Sequence, residues 1–275
     1  MDDIQIKNNL IEQLIEISKE AGKAILEVYN TNFDYQIKED LSPLTKADTL
    51  SDNIICERLK VLTPDIPILS EESCNIPLSI RSQWSQYWLI DPLDGTKEFI
   101  KKNDEFTVNI ALIENNNPII GLIHNPVFNT IYWGSELGAF LSIENNNPQK
   151  IAVKKNQLIK PRIICSRSHK SEKLEFYLQS IGKHQIIHAG SSLKFCSIAS
   201  GESDIYPRFN PTSEWDTAAG QCIVESAGGT VKTLDGERMQ YNKKQSLINP
   251  GFICYSGTNN ENIEKFFKLA SGFLD

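Results

Sequence analysis

YWLIDPLDGTKEFIKKNDEFTVNIALI, residues 87–113, is the stretch on which the reading of the fold turns. YWLI is a short apolar strand that ends at Asp91. FTVNIALI alternates Phe106, Val108, Ile110 and Leu112 against Thr107, Asn109 and Ala111, the period of a half-buried strand. Between the two strands, Pro92 and Gly95 force a tight turn in which Asp91 and Asp94 can face one point. The same turn exposes the Leu93 carbonyl as a further hard oxygen. Gly95 and Thr96 then open KEFIKK, which reads as a short helix whose first amides could receive a phosphate.

Working outward, PIIGLIHNP and TIYWGS continue the meander, with turns at Asn115–Pro118 and Asn125–Pro126. Upstream, Leu10, Leu14, Ile17, Ala21, Ile25 and Val28 recur at three- and four-residue spacing, which predicts an amphipathic helix over 4–29. A second helix runs from Asp48 to Leu62, is stopped by Pro64, and is followed by an extended PILSEES. Asn145–Pro148 reads as a boundary. Beyond it strands and helices alternate: RIICS, EKLEFYLQSI, QIIHAG, a helix over 193–200, DIYPR and DTAAGQCIVESA. A hairpin at Asp235–Gly236, strand GFICYS and a helix near 260–270 close the chain. The pattern predicts a mixed α and β fold of helix-covered sheets, in two sheet-bearing halves, 1–146 and 147–275.

The 275 residues carry 28 Lys and Arg against 35 Asp and Glu, a net charge of −7. That balance argues against a general nucleic-acid binder. The acidic, polar start MDDIQIKNN lacks the form of a signal peptide, and no apolar run is long enough for a membrane span. The six cysteines include no CxxC and read as reduced thiols, five of them small buried hydrophobes, which points to the cytoplasm.

Three acidic clusters stand out: Glu71–Glu72, Asp91 with Asp94, and Glu214-Trp-Asp216. Each falls at a strand end or helix start, where carboxylates can converge as Mg²⁺ requires. Singly, each has a plainer reading: a solvated turn, a capped first turn, an N-cap beside a core Trp. In order, however, Asp48, SEE at 70–72, WLIDPLDGT at 88–96 and EWDTAAG at 214–220 resemble the lithium-sensitive, Mg²⁺-dependent phosphatase superfamily of inositol monophosphatase and fructose-1,6-bisphosphatase. TPDIPILSEES, SRSHKS, GSSLKFC, YPRFNPTSEWDTAAG and INPGF are similar to its CysQ-type branch, the 3′(2′),5′-bisphosphate nucleotidases, and spread over nearly the whole chain.

The resemblance implies a layered α-β-α-β-α sandwich and two Mg²⁺ ions, or three. Glu71, Asp91 and the Leu93 carbonyl would hold the first ion; Asp91, Asp94 and Asp216 would hold the second. Glu72 would hold outer water or a weaker third ion. Thr96, paired with Asp48 and acting with Glu71, would orient and deprotonate the attacking water, and Thr45 would lie in the loop LSPLTKAD that closes over the site. The implied reaction removes the 3′-phosphate of adenosine 3′,5′-bisphosphate, with 3′-phosphoadenylyl sulfate as a second candidate substrate, in sulfur metabolism. Attachment to the cytoplasmic face of the inner membrane is an alternative placement.

For substrate contacts, Gly95, Thr96 and Asp216 lie beside the scissile phosphate in this reading. Lys194 and Arg208 are candidates for the second phosphate, because Arg can grip it bidentately. Gly190, Ser191 and Ser192 would meet the ribose and base, with Tyr206 as a neighbour. Asp204 reads as structural. His184 and His188 do not read as a zinc pair, and His169 reads as structural or part of a substrate loop. Two other readings compete: an inositol or sugar monophosphatase using the same metal site, against which GSSLKF and YPRF argue, and a nucleotide-binding protein without turnover.

Overall fold

A computed structural model of the chain describes residues 3–37, 43–144, 146–154, 160–167, 171–257, 267–270 and 272. The helix expected over 4–29 is α1 (Asp3–Tyr29), and Leu14, Ile17, Ala21 and Ile25 of its apolar stripe are fully buried. A two-stranded ribbon comes next, β1 (Tyr35–Ile37) against β2 (Pro43–Thr45). Pro43–Thr45 is therefore a strand, and the rest of the expected LSPLTKAD loop is helical from Lys46 or, at residues 41 and 42, lies outside the described residues. Thr45 ends the ribbon and caps α2 (Lys46–Leu62): its hydroxyl accepts from the Ala47 amide, while Asp48 accepts the Thr45 N–H. That capping box starts the helix two residues before Asp48.

The large sheet contains β3 (Ile68–Ser70), β4 (Gln86–Asp94), β5 (Thr107–Glu114), β6 (Asn117–Asn125), β7 (Thr130–Ser135), β8 (Gly138–Ile143) and β9 (Gln149–Ile151), in that spatial order. It is an antiparallel meander except for the parallel β3–β4 pair. Two short helices interrupt it, α3 (Leu78–Arg81) and α4 (Thr96–Ile100). β9 falls beyond the division expected at 146/147.

The half-buried pattern expected for β5 is not what forms. Thr107 through Ile113 are all buried, because helices cover both faces of the sheet. Val108, Ile110 and Leu112 pack with Leu14, Ile17 and Ile55 of α1 and α2. Ala111 and Ile113 face the opposite cluster, with Phe195, Ala219 and Ile223. These three belong to α6 (Leu193–Ala199) and α7 (Ala218–Ser226).

The smaller sheet has β10 (Arg162–Ser166), β11 (Gln185–Ala189), β12 (Ile205–Arg208), β13 (Thr230–Thr233) and β14 (Phe252–Tyr255), ordered β11-β10-β12-β14-β13. Tyr206, Phe252 and Cys254 turn inward against α6 and α7. Ile163, Cys165, Ile253 and Tyr255 turn outward onto Tyr177 and Ile181 of α5 (Glu172–Ile181). The layers are thus α1/α2, large sheet, α6/α7, small sheet, α5: the five-layer sandwich expected. Of the helix expected near 260–270, residues 267–270 are helical and 258–266 lie outside the described residues.

Candidate active site

The acidic residues of β4 converge through a fault in the strand. Asp91 pairs with Asn109 and Asp94 with Thr107, so three steps on β4 oppose two on β5. The extra residue is a bulge. Carboxylates three apart on a regular strand would point to opposite faces; the bulge turns both to one side. The tight turn expected at Asp91–Gly95 is therefore a bulged strand end. It stops at Gly95, whose φ of 90° precedes α4. That left-handed geometry suits glycine.

Asp216 reaches the same point from the small-sheet half, and carboxylate oxygens of Asp91, Asp94 and Asp216 lie within 4.8 Å of one another. Glu71 joins their cleft from the 3₁₀ turn Glu71–Ser73 after β3. Burial, then the charges of Glu71, Asp94, Asp216 and Asp48, hold the Asp91 carboxyl well above the usual carboxylate range. Burial, then Asp94 and Glu71, push Asp216 up to about 8 against the pull of the Ser213 amide. Burial also raises Asp94, opposed by Ser192, Lys194 and Asn109. A group of acids this close, each penalised for its charge, fits hard divalent cations bound through oxygen.

Asp48 and Thr96 meet beside the cluster. The Thr96 hydroxyl lies 3.1 Å from Asp48 Oδ1 and 3.3 Å from the Leu93 carbonyl, while Thr45 donates to Asp48 Oδ2 at 2.6 Å from its hydroxyl and 2.7 Å from its amide. The opposite wall of the cleft, about 220 Å³ in volume, includes Ser166, Ser191, Lys194, Tyr206 and Arg208. Burial pushes the Lys194 amine down to about 8 although Asp94 pulls it up. Its Nζ donates to the Ser191 carbonyl and lies 5.4 Å from the Tyr206 ring centroid. Arg208 Nε and Nη2 donate to the Asn210 and Pro211 carbonyls.

The structure thus brings Glu71, Asp91, Leu93, Asp94, Gly95, Thr96, Ser191, Lys194, Arg208 and Asp216 to one cleft. Three expected contacts fall elsewhere. Ser192 is buried with its hydroxyl 2.5 Å from Asp94 Oδ2 and 3.0 Å from the Asp216 carbonyl, so it steadies the acidic pair and does not line the cleft. Gly190 donates its amide to Glu105 and Glu72 stands outside the lining. Asp204, read as structural, is gripped by Arg162 at 2.6 Å and 3.0 Å. His184 and His188 have no acidic or thiol cluster around them among the described residues, and His169 lies outside those residues.

Sequence reasoning missed Asn109, whose Nδ2 donates to Ser192 Oγ at 2.7 Å and lies 3.3 Å from Asp94 Oδ2. The signal was an Asn within an apolar strand two residues after Thr107. It also missed the pair of Asp52 and Ser70, 2.5 Å apart, which fixes the turn carrying Glu71.

The comparisons with known proteins agree with this geometry. The model of the inositol monophosphatase family matches residues 7–270. The 3′(2′),5′-bisphosphate nucleotidase CysQ of Salmonella typhimurium is 44% identical over 249 residues, spanning 88% of this chain and 98% of that protein. CysQ of Escherichia coli K12 is 43% identical over 252 residues, with the same coverage. The crystal structure of CysQ from Bacteroides thetaiotaomicron superposes with a TM-score of 0.79 at 35% identity, covering 90% of this chain and 97% of that one. Bulged strand, acidic cleft and five-layer sandwich have the same source: the chain belongs to the inositol monophosphatase family.

Proposed function

We propose that the chain is a 3′(2′),5′-bisphosphate nucleotidase that hydrolyses the 3′-phosphate of adenosine 3′,5′-bisphosphate to AMP and phosphate. 3′-Phosphoadenylyl sulfate, with the same 3′-phosphate and adenosine, is a second substrate. One observation carries the reading: identity of 43–44% to CysQ nucleotidases runs through a chain whose acidic cleft faces Lys194 and Arg208. A monophosphatase of inositol has no second phosphate for that cationic wall to meet.

Glu71, Asp91, Asp94, Asp216 and the Leu93 carbonyl would hold two Mg²⁺ ions, which when bound neutralise phosphate charge and make water a nucleophile at neutral pH. The remaining roles belong to the chain's own groups. The attacking water gives a proton to Thr96 Oγ1 as Thr96 passes its own to Asp48 Oδ1, and the water oxygen so freed forms its bond to phosphorus. The Thr45 hydroxyl and amide hold the other Asp48 oxygen, so only Oδ1 is left for that exchange. As the bond from water to phosphorus forms, the ester P–O bond breaks, and the ribose 3′-oxygen leaves with the bonding pair and takes a proton from solvent to become the 3′-hydroxyl of AMP. Lys194 and Arg208 grip the 5′-phosphate, fixing the leaving group in line. The halves 1–146 and 147–275 contribute differently to this site. The first supplies Asp48, Glu71, Asp91, Asp94 and Thr96; the second supplies Asp216 and the nucleotide wall.

No helix among the described residues is long and apolar enough to cross a membrane. All six cysteines are free thiols, which supports a reducing, cytoplasmic setting.

The test is phosphate release from adenosine 3′,5′-bisphosphate and from inositol 1-phosphate, with Mg²⁺ and with chelator. Mg²⁺-dependent release from the bisphosphate is expected to dominate. Preference for inositol phosphate would overturn the substrate and keep the metal site; no release from either would favour a binding protein without turnover.

A further inference from the structure

The mechanism leaves unused a carboxylate that ties the two sides of the cleft together. Glu105 sits between α4 and β5, on the acidic side. Its Oε2 accepts from the Gly190 amide at 2.8 Å and from Arg167 Nε at 2.8 Å; its Oε1 accepts from Arg167 Nη2 at 2.6 Å. Arg167 also reaches the His188 carbonyl at 3.2 Å. One side chain thus grips the end of β10 and the turn after β11 together. Space at that turn is tight: a Cβ on Gly190 would stand 2.8 Å from the Glu105 carbonyl oxygen and 2.8 Å from Glu98 Cγ.

Ser191, the next residue, lines the cleft. It takes a left-handed φ of 39°, a conformation that L residues hold only when their surroundings impose it. Its carbonyl accepts from Lys194 Nζ. Its hydroxyl is buried without a hydrogen-bond partner. Ser192 is pinned separately, by Asn109 and by the Asp216 carbonyl. Glu105 and Arg167 therefore control the Gly190–Ser191 end of the turn, whereas Ser192 and Asp94 keep their own anchors.

We propose that Glu105 and Arg167 are positioning residues for substrate specificity: their bidentate pair sets the Gly190–Ser191 turn, and through the Ser191 carbonyl the Lys194 ammonium, against the 5′-phosphate side of a nucleotide bisphosphate. This rests on the functional reading above. The Arg167 side chain is 49% exposed and that of Glu105 19%, so solvent screens the pair in part. Bidentate Arg–carboxylate geometry, by contrast, fixes orientation.

The experiment compares wild type, Arg167→Ala, Arg167→Lys and Glu105→Gln on adenosine 3′,5′-bisphosphate and on adenosine 3′-monophosphate, which lacks the 5′-phosphate, with melting temperature as a check on folding. Arg167→Ala is expected to raise KM for the bisphosphate roughly tenfold, with kcat within about twofold and adenosine 3′-monophosphate unaffected. Arg167→Lys, a point charge without the fork, recovers part of the loss. Glu105→Gln keeps an oxygen for the Gly190 amide and falls between. Equal losses on both substrates, or none on either, would overturn the positioning role. Wild type that treats the two substrates alike would overturn the functional reading itself, and the proposal with it.

Discussion

The Thr96 hydroxyl lies 3.1 Å from Asp48 Oδ1, joining residues 48 positions apart in the chain. Each is held on its far side, Asp48 by Thr45 and Thr96 by its place at the start of α4 after the bulged strand. Thr96→Val keeps the shape and removes the hydroxyl. If the pair relays the water's proton, kcat falls at least about 10²-fold, while Mn²⁺ binding followed by electron paramagnetic resonance stays near wild type. Unchanged kcat with a raised KM would remove the relay.

Asp94→Asn removes one charge from the acidic group at constant volume. Turnover should be lost, and the metal-free protein should answer pH differently. In metal-free wild type, burial with Asp94 and Glu71 raises Asp216 to about 8 from an ordinary 3.8. The folded chain therefore holds a proton that the unfolded chain releases at much lower pH. The stabilisation linked to that proton is complete below about 4 and disappears as pH rises through about 8. Melting of chelator-treated protein should then drop from pH 6 to pH 8.5 in wild type and drop less in Asp94→Asn. Added Mg²⁺ should raise the wild-type melting temperature and leave that of the variant unchanged.

Arg208→Ala tests the cationic wall. Nε and Nη2 are tied to the Asn210 and Pro211 carbonyls, which fixes the guanidinium plane at the cleft. Loss of a charged contact to phosphate costs about 2–3 kcal/mol, or 30- to 150-fold. That loss is expected in kcat/KM for the bisphosphate and not for inositol 1-phosphate; equal losses would separate Arg208 from the second phosphate.

Much of this was legible in the sequence because local periodicity and long-range structure agree there. The α1 stripe, the existence of β5 as a strand and the three acidic clusters each have a short-range cause. What escaped depends on contacts between distant segments. Asp91-Pro-Leu-Asp94 reads as a turn because it contains Pro92 and is followed by Gly95, yet pairing with Asn109 and Thr107 keeps it in the strand and makes it a bulge. Ser192 looks like a ribose ligand until β5 is seen to place Asn109 beside it. Thr107, Asn109 and Ala111 suggest a wetted face for β5, and only Ser192 with α6 and α7 explains why that face is dry.

His124 gives the fold an acid limit. Its Nδ1 lies 2.9 Å from the Ser18 carbonyl, so that nitrogen carries the proton, and Nε2 is buried without a partner. Burial pushes the imidazole down to about 4 from 6.5, against the pull of that carbonyl. A base with a lowered folded pKa favours unfolding once the unfolded chain can protonate. The cost therefore begins as pH falls below 6.5 and is complete near 4, reaching about 3 kcal/mol. Urea unfolding at pH 7.5 and 4.5 should show His124→Asn, which keeps a donor toward Ser18, losing less stability on acidification than wild type. An equal loss would mean that other groups set the acid limit.

Gly121 and Gly134 let α7 lie directly on the large sheet, and they separate packing from metal positioning. A Cβ on Gly121 would stand 2.4 Å from the Ala219 carbonyl oxygen, and one on Gly134 would stand 2.7 Å from Ile223 Cα. Both obstacles are backbone, so α7 must move in either alanine variant, at a cost of about 1–3 kcal/mol each. Ala219, however, is three residues after Asp216, whereas Ile223 is about one helical turn further along. Gly121→Ala should therefore displace Asp216 and weaken Mn²⁺ binding, while Gly134→Ala lowers the melting temperature by a similar amount and leaves binding nearer to wild type. If both weaken binding equally, α7 shifts as one rigid rod, and the seating of its first turn on β6 is not what holds Asp216 in the cluster.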